Sequence, residues 1–296
     1  MAGDAGRLRA ALRGWALVSP TALYAVAMLA IPLGTVLVVS FLTDGRTAGG
    51  LRTVLPVATL ANYIEVWTND IYRFLMLRSL AVSMSVTLVT VVLAYPVAYY
   101  VSFHVAPNKK ALWLFLITIP FWTSYIVRVF LWKVILGFNG VVNSGLLSLG
   151  IIDAPLQAIN YSVQAMVMTL AHAYAPFAIL PIFVALEKID RSLLEAGQDL
   201  GESRFMTFLR VTLPLSMPGV VAAVLIVFIP TVGDYVTPDL IGGGKIPMIA
   251  NAIEVQMLKL NSKALGSALA VSAMLIVASV TIVFLLLNRR FLGGGR

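Results

Sequence analysis

The chain has 296 residues, of which 60% are hydrophobic and only 11% charged, with no cysteine and a formal net charge of +8. So apolar a composition excludes a water-soluble enzyme or binding module and defines a polytopic membrane protein. The missing cysteines exclude disulfides, thiolate metal sites and a cysteine nucleophile, and the surplus charge is spread over loops as a topology signal, not gathered into a nucleic-acid surface.

A helix crossing the hydrocarbon core needs roughly 20 apolar residues. Six segments supply them, at 16–42, 79–103, 111–136, 161–186, 213–233 and 266–288, and no internal repeat relates them. Backbone groups in lipid must be satisfied within the segment, which predicts an all-α fold of six transmembrane helices. The first apolar run follows Arg7, Arg9 and Arg13 like a signal peptide, but it is too long for one and is expected to stay as a span. This divides the chain into a short N-terminal segment (1–15), a membrane domain (16–288) and a tail (289–296).

Residues 60–78 have the pattern of an interfacial helix, with Leu60, Ile64, Trp67, Ile71, Phe74 and Leu75 on one face. The third segment carries Trp122 and Tyr125, weaker candidates for a solute path, and Arg128 near its centre. A central Arg costs about 2.5–3.5 kcal/mol on insertion scales, so Arg128 is expected in a structural or gating ion pair. In the fourth segment His172 either lines a pathway or bonds across helices, and Pro176 and Pro181 are expected to kink the helix.

Between the fourth and fifth segments lies a charged, helix-forming connector, 187–212, that cannot enter lipid. Ser192 and Glu195 have capping-box spacing, which predicts a helix from there to about Leu200. Ile189, Leu193, Ala196 and Leu200 give that helix an apolar stripe. Gly201 is expected to break it in a left-handed turn, and a second helix, 202–212, leads to Pro214 at the head of the fifth span. After that span come Asp234, Tyr235 and Asp239. Carboxylates and an aromatic face suit a cationic solute, yet both Asp residues could equally cap turns around Pro238, and both readings stand. Gly244-Lys245 is no phosphate loop, since Asp239 and Ile246 occupy the positions where that motif needs Gly and Ser or Thr. No catalytic triad or metal-ligand cluster stands at credible spacing.

With the N-terminus placed inside, twelve Lys and Arg fall in inner segments and seven in outer ones. That bias predicts both termini and the connector in the cytoplasm.

Glu195-Ala196-Gly197, three residues, Gly201, nine more, then Val211-Thr212-Leu213-Pro214 resembles the coupling signature of permease subunits in binding-protein-dependent ABC importers. Gly197 and Val211 depart from it, each by a small change in volume. Phe121-Trp122-Thr123 with Arg128, the run 136–143 and the run 233–243 extend the resemblance to the spermidine/putrescine branch. It implies a type I importer membrane domain in a bacterial inner membrane. It also implies a sister permease as heterodimer partner, two ATPase subunits that hold the ATP and Mg, and an extracytoplasmic solute-binding protein. Glu195, Ala196, Gly197, Gly201, Leu213 and Pro214 would couple to the ATPase. The chain itself would be no enzyme, bind no cofactor and move a small cationic solute, most simply a polyamine. Iron, opines and 4-aminobutyrate are carried by related permeases. An ion-coupled secondary transporter or a non-transporting scaffold are the rival classes; the first is disfavoured because no Asp or Glu falls inside a predicted span.

Overall fold

The computed structural model describes residues 2–46, 52–156, 159 and 161–292; the Gly-rich end of the tail, 293–296, lies outside them. The chain forms two compact units, Met1–Val66 with Val255–Ser272, and Trp67–Glu254 with Ala273–Arg296.

In the first unit a long helix, α1 (Ala2–Ser40), runs into an antiparallel hairpin of β1 (Leu42–Arg46) and β2 (Arg52–Ala58). Residues Leu17–Ser40 are apolar enough to span, and their most apolar window is unburied, with Ser40 buried at the end of the helix. A helix apolar on every side, with nothing packed on it, is one whose solvent is lipid. The helix α2 (Ala61–Thr68) follows. Asn62 gives its amide to the Ser40 and Leu42 carbonyls at 3.0 and 2.7 Å, and the Tyr63 hydroxyl meets Ser40 Oγ at 2.7 Å. The hairpin also reaches the last long helix, α13 (Lys263–Leu287). Asp44 accepts from the amides of Ala264 and Leu265 at 3.0 and 3.2 Å, capping that helix from a distant part of the chain.

The second unit is built on α3 (Asp70–Phe103), α7 (Val163–Glu187) and α10 (Leu213–Val232). Their shared core holds Val86, Ala94, Ala98, Val101, Leu170, Ile182, Leu186, Ala223 and Val227. Small residues let membrane helices approach closely, as at Gly219, where a Cβ would stand 2.5 Å from the Pro181 carbonyl oxygen and from Ala185 Cβ. Around this core lie α4 (Pro107–Thr118), α5 (Tyr125–Ile135), α6 (Val141–Ser148), α8 (Arg191–Asp199), α9 (Arg204–Thr207), α11 (Val236–Leu240) and α12 (Ile249–Glu254). The chain closes with α13 (Lys263–Leu287) and α14 (Arg289–Leu292).

Five helices among the described residues can cross a membrane alone, and α4 with α5 makes a sixth. That third span is not the single helix expected over 111–136, because the pair is bent by 86°. Pro120 lacks an N–H, the chain tightens into a 3₁₀ turn at Ile119–Trp122, and Thr123 gives its hydroxyl to the Pro120 carbonyl at 2.7 Å. Residues Thr123 and Ser124 are extended, so the helix restarts only at Tyr125. The expected interfacial helix over 60–78 also divides. The Asn69 side chain accepts from the Ile71 amide at 2.9 Å, which ends α2 and starts α3. The helical class holds for the spans, and the β1–β2 hairpin is an addition that the apolar pattern did not announce.

Candidate functional site

The connector is a helix–turn–helix carried at one end of the second unit. Its first helix, α8, begins two residues earlier than the expected capping box. Asp190, not Ser192, is the N-cap and accepts from the Ser192 amide at 3.0 Å. That amide holds the Asp190 carboxyl below its ordinary range. Gly201 adopts φ +85°, where a side chain is strained, and turns the chain as expected. The N–H of Glu202 then closes on the Gly197 carbonyl at 3.1 Å. Gly197 faces Thr207, and a methyl there would meet Thr207 Cγ2 at 3.2 Å. The smaller residue at this departure from the family pattern therefore fits a tight contact.

The second connector helix starts at Arg204, two residues later than expected, with Ser203 as its cap. It runs through a π turn at Phe208–Thr212 straight into α10. Pro214 has no N–H to return to Arg210, and its ring crowds that carbonyl. The wider turn just before it, with Leu213 N–H reaching the Phe208 carbonyl, accommodates both defects. Leu213 and Pro214 thus lie inside a continuous helix, not at its start.

On α8 the side chains of Leu193, Glu195, Ala196 and Leu200 are exposed, Leu200 at 87%. Ile189 is buried beneath. The rest of the unit grips the underside. Glu187 Oε1 accepts from Ser102 Oγ and from Lys110 Nζ, both at 2.6 Å. Arg191 reaches the Ser102 carbonyl at 3.2 Å, and Phe208 packs edge-on against Tyr95 and Tyr99. Short polar contacts thus tie α7 to α3 and α4 through Glu187, and α8 to α3 through Arg191. None of Ser102, Lys110 or Glu187 stood out in the sequence, because their partners are 77 and 85 residues away.

The second cluster sits toward the other end of α3. Ser79, near its start, accepts from the Ile249 amide at 2.8 Å, whereas Ser102 joins the connector. At 1.5 Å per residue these two serines are about 35 Å apart, roughly one hydrocarbon core plus margin.

Here Asp234 is buried, with 7% of its surface exposed. Its Oδ1 accepts from the amides of Val236 and Thr237 at 3.1 and 3.4 Å, so the turn-capping reading describes that oxygen. Its Oδ2 is buried with no hydrogen-bond partner among the described residues. Burial pushes the carboxyl above its ordinary range. The Tyr125 hydroxyl meets Thr237 Oγ1 at 2.8 Å, and both Tyr125 and Tyr174 lie within electrostatic reach of Asp234. Asp239 is different. It is exposed and accepts from Asn251 Nδ2 at 2.9 Å, and the same amide holds the Tyr235 carbonyl at 2.9 Å. Tyr235 is half exposed.

Arg128 is buried but makes no ion pair among the described residues, which corrects the expectation. No carboxylate among the described residues pairs with it. Its NH1 donates to the Ala173 carbonyl at 3.5 Å, its guanidinium lies 4.9 Å from the centre of the Phe121 ring, and Nε has no partner. His172 accepts from Trp132 Nε1 at 3.1 Å across helices and borders an apolar cavity of about 780 Å³ with Thr90, Val97 and Ile179. Trp122 is 81% exposed and stands apart, against Phe115 only. The structure thus brings Asp234, Tyr125 and Tyr174 together, ties Tyr235 and Asp239 to Asn251, and leaves Trp122 outside.

A bundle of bent and kinked spans with an exposed connector at one end is the fold of a type I ABC importer membrane domain. The family of binding-protein-dependent transport system inner membrane components matches residues 54–293, and the chain belongs to it. It is 36% identical over 264 residues to the spermidine/putrescine transport system permease protein PotB of Haemophilus influenzae, covering 88% of this chain and 90% of that one. The Escherichia coli K12 protein of the same name is 35% identical over 243 residues, covering 82% and 87%. The fold also matches a bacterial alginate ABC transporter solved with a pentasaccharide-bound periplasmic protein, at a TM-score of 0.74 and 15% identity over 98% of this chain and 99% of that one. This is a multi-pass membrane permease, a transport component and not an enzyme.

Proposed function

We propose that this chain is one half of an alternating-access pathway for a small cationic solute, a polyamine in the first instance. A second permease subunit would complete the pathway as a heterodimer, a solute-binding protein would deliver cargo outside, and two ATPase subunits inside would bind ATP and Mg. Both termini and the connector face the cytoplasm in this reading. The similarity to proteins named for spermidine and putrescine transport supports the cargo, and the Lys and Arg bias supports the orientation.

The observation that carries the reading is the exposed face of α8. Leu193, Glu195, Ala196 and Leu200 are left to solvent while Glu187 and Arg191 clamp the helix base to α3 and α4. Apolar side chains around one carboxylate, on a rigid helix, suit a groove in a partner subunit. Nucleotide-driven closure of the ATPases would push on this helix, and the clamp would turn that push into reorientation of the spans. Reconstituted with its partner subunits, Glu195→Lys or Gly201→Asp should lower both solute uptake and solute-stimulated ATP hydrolysis at least tenfold. Wild-type rates for both variants would refute the coupling role.

A further inference from the structure

Of the two carboxylates that follow the fifth span, the geometry singles out one. Asp239 is exposed and already engaged by Asn251 Nδ2 at 2.9 Å, a bond that ties α11 to α12. Asp234 spends one oxygen on its own turn, at the Val236 and Thr237 amides, and buries the other without a donor. A cap needs a single acceptor, and an amide or a hydroxyl would serve as well. The unused oxygen is therefore unexplained by the turn. Water does not reach it, and no donor among the described residues meets it in hydrogen-bonding geometry, although the Tyr125 and Thr237 hydroxyls beside the carboxyl favour its charged form.

Its surroundings point to what does. The hydroxyls of Tyr125 and Thr237 bond each other at 2.8 Å beside it, and Tyr125 and Tyr174 both lie within electrostatic reach of its charge. A primary ammonium has three N–H donors and a compact positive charge. One N–H can go to Oδ2 as a charge-assisted bond, the others have hydroxyl acceptors at hand, and the flanking rings suit a cation. An anion would be repelled by the carboxylate, and a neutral hydroxyl compound would leave a buried carboxylate charge uncompensated.

We infer that Asp234 Oδ2, with Tyr125, Thr237 and Tyr174, binds one primary ammonium group of the transported solute in an occluded position within this subunit, and that Asp239 is a positioning residue that holds α11 through Asn251. The inference rests on the polyamine reading above and assigns that reading an atom. Burial of this carboxylate fits an alternating-access cycle, in which the site opens to one side at a time.

The test is equilibrium binding of radiolabelled putrescine to the assembled permease–ATPase complex in nanodiscs, without the solute-binding protein, so that only the membrane site is read. Asp234→Asn should weaken binding at least tenfold, and Asp234→Glu should recover to within about threefold of wild type. Asp239→Asn should reduce transport velocity in proteoliposomes while shifting the dissociation constant less than twofold. On the wild-type complex, which needs no variant to fold, a bis-trimethylammonium analogue of putrescine should compete at least tenfold more weakly than putrescine, because it has no N–H to offer. Equal competition by that analogue, or unchanged binding in Asp234→Asn, overturns the assignment. Putrescine transport without measurable binding to the complex overturns it too and leaves the polyamine reading standing. If wild type neither binds nor transports putrescine, both fall.

Discussion

Asp234 concentrates a cost and a purpose in one side chain. A buried acceptor without a donor costs about 1–3 kcal/mol, more when charged, and a fold under no functional demand would discard it. Asp234→Asn keeps the Oδ1 cap and removes the charge, so at neutral pH the variant should melt higher than wild type while binding cargo worse. The sign follows from the raised carboxyl. A native state that holds the proton more tightly than the unfolded chain loses stability as pH rises through the raised value, and below the ordinary range that loss is absent. The variant's advantage should therefore shrink on acidification toward the ordinary carboxylate range, as thermal denaturation across that range would read. Gly201 is a simpler case. At φ +85° a side chain costs about 1–2 kcal/mol, and nothing lies within 4 Å of where its Cβ would be. The effect of Gly201→Ala on the connector would thus be conformational, seen as faster amide exchange at Leu200 and Glu202.

Among the elements, the connector shows how far a local pattern carries. Gly201 was legible because a left-handed turn has few chemical solutions. The cap was misjudged by two residues because Asp190 and Ser192 are both good caps, and the packing of Ile189 beneath decides which one the helix begins from. The third span was read as straight because apolar length says nothing about a bend; Pro120 and Thr123 were the available signals. The β1–β2 hairpin escaped because it is short and lies between a span and an interfacial helix. Its consequence is energetic: Asp44 caps the first turn of α13 from 220 residues away. Asp44→Ala should cost about 1–2 kcal/mol, read as lost exchange protection at Ala264 and Leu265, with Asp44→Asn recovering much of it. Glu187→Ala removes the shared acceptor of Ser102 and Lys110. In the reconstituted complex it should lower the number of solutes moved per ATP at least threefold, since the connector would still dock but would grip the spans less firmly.

For the whole molecule, the proposed orientation is open to direct measurement because the native chain has no cysteine. A membrane-impermeant maleimide should label Lys245→Cys in intact cells, and Leu193→Cys only once the membrane is opened; both side chains are exposed. The reverse pattern would invert the topology and remove the connector from any cytoplasmic motor. The amino-acid order alone determined the membrane class, the span count and the water-facing connector, because each depends on a contiguous run: apolar length against bilayer thickness, or glycine and charge where lipid is forbidden. Only the tertiary structure decided that Arg128 rests on Phe121 and Ala173 without a carboxylate, that Asp239 is spoken for by Asn251, and that Asp234 keeps an oxygen in reserve. Those outcomes turn on which distant side chains arrive within about 3 Å of one another, and helix packing alone sets that.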